Sequence, residues 1–75
     1  MLFQATFQGM LITVNGETCE LPDGLTVSGL LEHYRLKPGG VVVELNLEVP
    51  GKDAYSRLEL KAGDRVEIVK FMGGG

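Results

Sequence analysis

Met10-Leu11-Ile12-Thr13-Val14-Asn15-Gly16-Glu17-Thr18-Cys19-Glu20-Leu21 is the stretch that decides the fold. Apolar residues alternate on either side of an Asn-Gly dipeptide. That dipeptide suits the two central positions of a type I′ turn, both of which require positive φ. A two-residue loop fixes the register, with Val14 opposite Glu17, Ile12 opposite Cys19 and Met10 opposite Leu21. One face of the hairpin is then apolar, and Glu17 lies near its exposed tip. Cys19 falls on the core face. It is expected as a buried structural thiol rather than a nucleophile, because no His or Lys stands beside it in sequence to favour the thiolate.

A hairpin with one apolar face needs a second layer, and the next segment supplies it. Pro22-Asp23-Gly24 reads as a turn. Val27, Leu30, Leu31 and Tyr34 then recur at i, i+3, i+4 and i+7, one face of an α-helix. Thr26 is placed to cap the first turn, with Leu25 and Leu30 at the positions of a hydrophobic staple. Gly29 lowers helix propensity by about 1 kcal/mol relative to Ala, a cost that close packing on a sheet would justify. His33 lies off the apolar stripe and is read as a solvated helix residue rather than a base. Lys37-Pro38-Gly39-Gly40 is expected to stop the helix.

Beyond the helix the period returns to two. Val41, Val43 and Leu45 share one face of a strand from Val41 to Asn46, and Val42, Glu44 and Asn46 share the other. Leu47-Glu48-Val49 reads as a short strand ended by Pro50-Gly51. Lys52 to Leu60 is irregular, with Tyr55, Leu58 and Leu60 as anchors under a loop. Ala62-Gly63-Asp64 is a turn. Arg65 to Phe71 is the last strand, with Val66 and Ile68 toward the helix and Val69 and Phe71 on the opposite face. A crossover through the helix makes the first strand a parallel neighbour of a later one. The expected fold is α+β: a ubiquitin-like β-grasp domain over residues 10–72, with a small mixed sheet of four to five strands packed on one helix. Residues 73–75 form a flexible Gly tail. Residues 1–9 carry no charge and lack the basic start and apolar core of a signal peptide. They are read as an added leader or the product of an upstream start, the alternative being a native extra edge segment.

Composition excludes several functions. The chain has 75 residues, enough for one domain, with 44% hydrophobic and 23% charged residues. Its net charge of −3 with no basic cluster argues against nucleic acid as a partner. No apolar run reaches the length of a membrane span, so no membrane partner is expected. One cysteine and one histidine allow neither an internal disulfide nor a zinc site of the usual spacing, and no metal is expected. The lone thiol suits a reducing cytoplasm. There is no phosphate loop, no nucleophile–base–acid order, and no selected carboxylate pair. A carrier or binding module is expected rather than an enzyme.

Phe71-Met72-Gly73-Gly74-Gly75 remains to be explained. Three glycines offer a strip of backbone ending in a carboxylate. Extended, three residues reach about 10 Å and pass through a tunnel that any β-carbon would block. The plain alternative is a frayed terminus.

Several segments, taken in order, resemble the bacterial sulfur carrier proteins of thiamine biosynthesis (the ThiS/MoaD family). They are Ile12-Thr13-Val14-Asn15-Gly16-Glu17, Leu25-Thr26-Val27-Ser28-Gly29-Leu30-Leu31, Val41-Val42-Val43-Glu44-Leu45-Asn46, and Gly63-Asp64-Arg65-Val66-Glu67-Ile68-Val69 with Phe71 and Gly73-Gly74-Gly75. The resemblance spans Met10 to Gly75. It implies a carrier that binds no cofactor itself. An E1-like, ThiF-like adenylating enzyme spends ATP on the Gly75 carboxylate. Sulfur from a cysteine desulfurase relay then replaces AMP. The resulting thiocarboxylate is consumed by a ThiG-like thiazole synthase. Gly73 and Gly74 carry over as the slender part of the tail. The departures are the leader and Val49-Pro50-Gly51-Lys52, where family members often have Val-Pro-Arg, so a basic residue's role at that site does not carry over. Val42, Val69 and Phe71 form an expected partner-docking face beside the tail; the alternative is that Phe71 or Val42 closes the edge of the core. Three other readings stay open: the small subunit of molybdopterin synthase, a ubiquitin-like protein modifier, and an interaction domain with no chemistry at its tail.

Overall fold

The computed structural model describes residues 9–71. Most of the leader, Met72 and the tail glycines Gly73, Gly74 and Gly75 lie outside the described residues. The elements are β1 (Met10–Val14), β2 (Glu17–Leu21), α1 (Val27–His33), β3 (Val41–Leu45) and β4 (Arg65–Lys70). Short 3-10 turns cover Pro38–Gly40 and Lys52–Ala54. The sheet order is β2-β1-β4-β3. The two central strands, β1 and β4, are parallel, and each has an antiparallel neighbour outside it. This is the expected β-grasp arrangement. Among the described residues no helix is long and apolar enough to cross a membrane.

The hairpin forms in the expected register, pairing Met10 with Leu21, Ile12 with Cys19 and Val14 with Glu17. Asn15 and Gly16 take φ of 50° and 84°, as a type I′ turn demands. Alternation then sends Met10, Ile12 and Val14 inward beside Val66 and Ile68 of β4 and Val41 and Val43 of β3. Val27, Leu30 and Leu31 of α1 complete a single core, sealed at one side by Tyr55 and Leu60. Burying a side chain of this kind stabilises by roughly 1.5–3 kcal/mol. Thr26 caps α1: its Oγ1 accepts a hydrogen bond from the Gly29 N–H at 3.0 Å, an interaction typically worth about 1 kcal/mol. A β-carbon at Gly29 would lie 2.6 Å from Leu25 Cδ1. Gly29 therefore makes room for the staple leucine at the helix entrance, rather than for the sheet.

Three expectations are corrected. First, α1 stops at His33, before the Lys37-Pro38-Gly39-Gly40 segment. The Arg35 N–H donates to Glu32 O at 2.9 Å and the Leu36 N–H to Leu31 O at 2.8 Å, with Arg35 at φ 59°. That is a Schellman closure with arginine in the left-handed position usually held by glycine. Tyr34 is consequently the C-cap and is exposed, not part of the buried stripe. Second, Leu47-Glu48-Val49 does not add a fifth strand among the described residues. Asn46 and Leu47 take φ of 51° and 72°, and Leu45 and Glu48 exchange backbone hydrogen bonds of 2.7 and 3.0 Å across that turn. Third, Cys19 is only partly buried at the edge of the core. Leu21 on the same strand is buried, while Cys19 lies nearer the hairpin tip, against the exposed Tyr34.

Candidate functional site

Parallel pairing sets the start of β4 beside the end of β1, Thr13 opposite Arg65 and Val14 opposite Val66, so β4 runs on past the β1–β2 turn. Antiparallel pairing places the end of β4 beside the start of β3. The β1–β2 turn, the Pro38–Gly40 turn and the last residues of β4 therefore meet at one end of the sheet, where the chain leaves toward its C-terminus. This end is the candidate site.

The base of the tail is fixed by contacts from distant segments. The Asn15 carboxamide pairs with the backbone of Ile68 on both sides. Its Oδ1 accepts from the Ile68 N–H at 2.7 Å, and its Nδ2 donates to Ile68 O at 3.4 Å. The Asn15 N–H also donates to Val66 O at 2.8 Å. A side chain thus extends the parallel β1–β4 ladder past the end of β1. At the other edge the Phe71 N–H donates to Gly40 O at 3.0 Å. The Lys52 ammonium donates to Pro38 O, and to Val41 O at 3.0 Å. It stands 5.8 Å from the centroid of the Phe71 ring, a geometry worth about 0.5–1 kcal/mol at an exposed site. A basic side chain does occupy this corner, one position later than the Val-Pro-Arg pattern places it.

Of the three residues expected on a docking face, Val42 and Val69 are direct partners across β3 and β4. They lie on the face away from α1. Val69 is 59% exposed and Phe71 52%, so neither closes the core. Val42 is half-buried beside them. The same face continues to Leu47, which is 82% exposed, and carries Glu44 opposite Glu67. Exposed apolar surface thus lies at both ends of this face, Val69 and Phe71 toward the tail and Leu47 at the far end, with Glu44 and Glu67 between them. Single exposed apolar side chains are ordinary; a paired set beside a chain exit is a candidate contact surface.

On the helix side of the same end, a groove of about 230 Å³ is lined by the apolar Val14, Leu36 and Ile68 together with Asn15, Glu17, Tyr34 and Lys70. Close to it the Tyr34 hydroxyl and the Cys19 sulfur are 3.4 Å apart, and the Cys19 thiol also points at Glu17 O at 3.6 Å. The hydrogen bond with Cys19, partial burial, and the negative charge of Cys19 and Glu17 at alkaline pH push the Tyr34 hydroxyl up to about 12. His33 is exposed and stacks edge-on with Tyr34, ring centroids 5.0 Å apart; no catalytic partner faces it among the described residues.

Sequence reading missed Asn15 as a strand extender and Lys52 as a clamp. Asn-Gly signals a turn but not what the carboxamide does across the sheet. Lys52 finds its carbonyl partners 11 and 14 residues away, a separation no local pattern reveals.

Residues 8–75 match the model of the ThiS family. The sulfur carrier protein ThiS of Bacillus subtilis is 39% identical over 66 residues, which cover 87% of this chain and all of that protein. A thiazole synthase of Paramagnetospirillum magneticum is 38% identical over 66 residues, 88% of this chain. The chain spans only 20% of the length of that relative. The crystal structure of a thiamine biosynthesis protein (ThiS) from Geobacter metallireducens superposes with a TM-score of 0.75 at 39% identity, covering 88% of this chain and 100% of that one.

Proposed function

The chain belongs to the ThiS family, and from that premise we propose that it is a sulfur carrier of thiamine biosynthesis whose working group is the Gly75 carboxylate. The observation that carries this reading is the extent of the match. It runs through the glycine tail to residue 75 and takes in the whole length of a sulfur carrier.

The chemistry explains why such a tail is needed. A carboxylate is a poor electrophile. Adenylation by a partner enzyme, using ATP, turns it into a mixed anhydride with AMP as leaving group. The terminal sulfur of a persulfide supplied by a desulfurase relay displaces AMP to give an acyl disulfide, and a thiol cleaves that S–S bond reductively, leaving a Gly75 thiocarboxylate and a disulfide. The thiocarboxylate sulfur is a strong nucleophile and is delivered to a thiazole synthase. The chain contributes the sulfur atom and its partners contribute catalysis. A thiazole synthase as recipient is supported by relatives of that name in which a segment like this chain makes up about 20% of the polypeptide. Gly73 and Gly74 admit the tail to both partner sites. Val42, Val69 and Phe71 supply the docking contact beside it.

The reading is tested by intact mass. The chain is incubated with ATP, an adenylating partner of this family and a sulfur donor. The expected product has one oxygen exchanged for sulfur. Adducts on other proteins would instead indicate a modifier, and no change with any partner set would leave an interaction domain.

A further inference from the structure

We propose that Lys52 is a positioning residue for the tail. Its ammonium locks the glycine segment that holds Phe71, and so fixes the point from which the tail departs. The geometry stands on its own; the consequence for activation rests on the sulfur-carrier reading.

The carbonyls of Pro38 and Val41, both accepting from Lys52 Nζ, bracket Gly39 and Gly40 on either side. Neither glycine has an atom within 4 Å of where its β-carbon would stand. No side chain packs where those β-carbons would stand, so the segment is held through its backbone, by the Gly40 N–H to Lys37 O bond of 3.0 Å, by the Val41 N–H to Pro38 O, and by Lys52; glycine backbone loses the most freedom on ordering. Yet Gly40 O is the acceptor for the Phe71 N–H, the last backbone tie before the tail among the described residues. One side chain restrains that segment from both ends and also stands over the Phe71 ring. An ammonium has three donors and no acceptor. Here two are spent on carbonyls, and the positive charge faces the ring's negative face. A methionine would preserve the apolar stem and supply none of these contacts. Lys52 is itself placed by the Lys52–Ala54 turn, which leads directly into the buried Tyr55.

The energetic consequence is a change in population. When only a fraction of molecules hold the competent arrangement, apparent affinity falls by that fraction. Releasing Phe71 therefore weakens productive binding to the adenylating partner without altering the chemical step.

The test uses full-length chains carrying Lys52→Met and Lys52→Arg. Amide exchange at Phe71 is measured in the free protein, and KM and kcat are measured with the adenylating partner. Lys52→Met is expected to speed Phe71 exchange and raise KM roughly three- to tenfold at unchanged kcat, with exchange at core amides such as Val66 unaltered. Lys52→Arg is expected to restore both values, because a guanidinium donates to carbonyls and stacks on the ring. Unchanged Phe71 exchange in Lys52→Met overturns the proposal. So does a loss of core protection that Lys52→Arg fails to rescue, which marks a general structural role. If the wild-type chain is not activated at all, the sulfur-carrier reading fails. Phe71 exchange then decides the role of Lys52 alone: acceleration supports it and no change overturns it.

Discussion

The carboxamide of Asn15 hydrogen-bonds the backbone of Ile68 on both sides, N–H and C=O, from 53 residues away in sequence. A turn residue thereby acts as one more rung between β1 and the strand that leads to the tail. Asn15→Gly keeps the positive φ of the turn and removes only the amide. Loss of two partly buried hydrogen bonds is expected to cost about 1–2 kcal/mol, read as a lower denaturant midpoint with faster exchange at the Ile68 amide. A midpoint equal to wild type would contradict this role.

Leu47 occupies the left-handed region at φ 72° and is 82% exposed. An L side chain there costs about 1–2 kcal/mol, partly offset in a glycine by its greater loss of backbone entropy, about 0.5–1 kcal/mol. Leu47→Gly converts the turn to Asn-Gly and is expected to stabilise the chain by roughly 0.5–1 kcal/mol, or about 3–6 °C in Tm. Thermal unfolding decides it: a Tm at or below wild type contradicts the strain.

These two turns show what was legible in the sequence. Asn15-Gly16 announces itself because both residues tolerate positive φ, and alternation on either side fixed every pair of the hairpin. Asn46-Leu47 adopts the same kind of turn, but leucine carries no such signal, so the segment reads as strand. The helix end was hidden for the same reason. Arg35 takes the position glycine usually marks, and the visible Pro38-Gly39-Gly40 lies farther on. Val42 and Val69 could be placed on one face from alternation alone. Lys52 and the Asn15 amide could not be, because their partners are set by tertiary packing.

The Tyr34 hydroxyl titrates at about 12 rather than its ordinary 10.0 because Cys19 hydrogen-bonds it and its anionic neighbours disfavour the phenolate. A raised value means the neutral form is favoured in the fold. Its contribution to stability is fully present below pH 10 and is lost as pH rises through about 12. Tyr34 is 38% exposed, so solvent screens the effect. The cleaner readout is an NMR titration of the Tyr34 ring. Cys19→Ala is expected to move its midpoint down toward 10.0. An identical midpoint in both chains would show that the sulfur is not the cause.

Val69 and Phe71 stand exposed beside the chain exit and contribute nothing to the core. Val69→Asp and Phe71→Asp are expected to leave the unfolding transition close to wild type. Each is expected to weaken binding to the adenylating partner by about tenfold or more, as for an apolar contact at the centre of an interface. Unchanged affinity in either folded variant would remove that residue from the docking face.

The central claim is that sulfur is carried at the C-terminus on Gly75, at the end of a tail that only glycine keeps narrow enough. The most direct measurement is tandem mass spectrometry of the chain after incubation with ATP, the adenylating partner and a sulfur donor, on wild type and Gly74→Val in parallel. The account predicts a single oxygen-to-sulfur exchange located at Gly75 in the wild type and its near absence in Gly74→Val, with both chains equally folded. Sulfur found elsewhere, or equal conversion of the two chains, would contradict it.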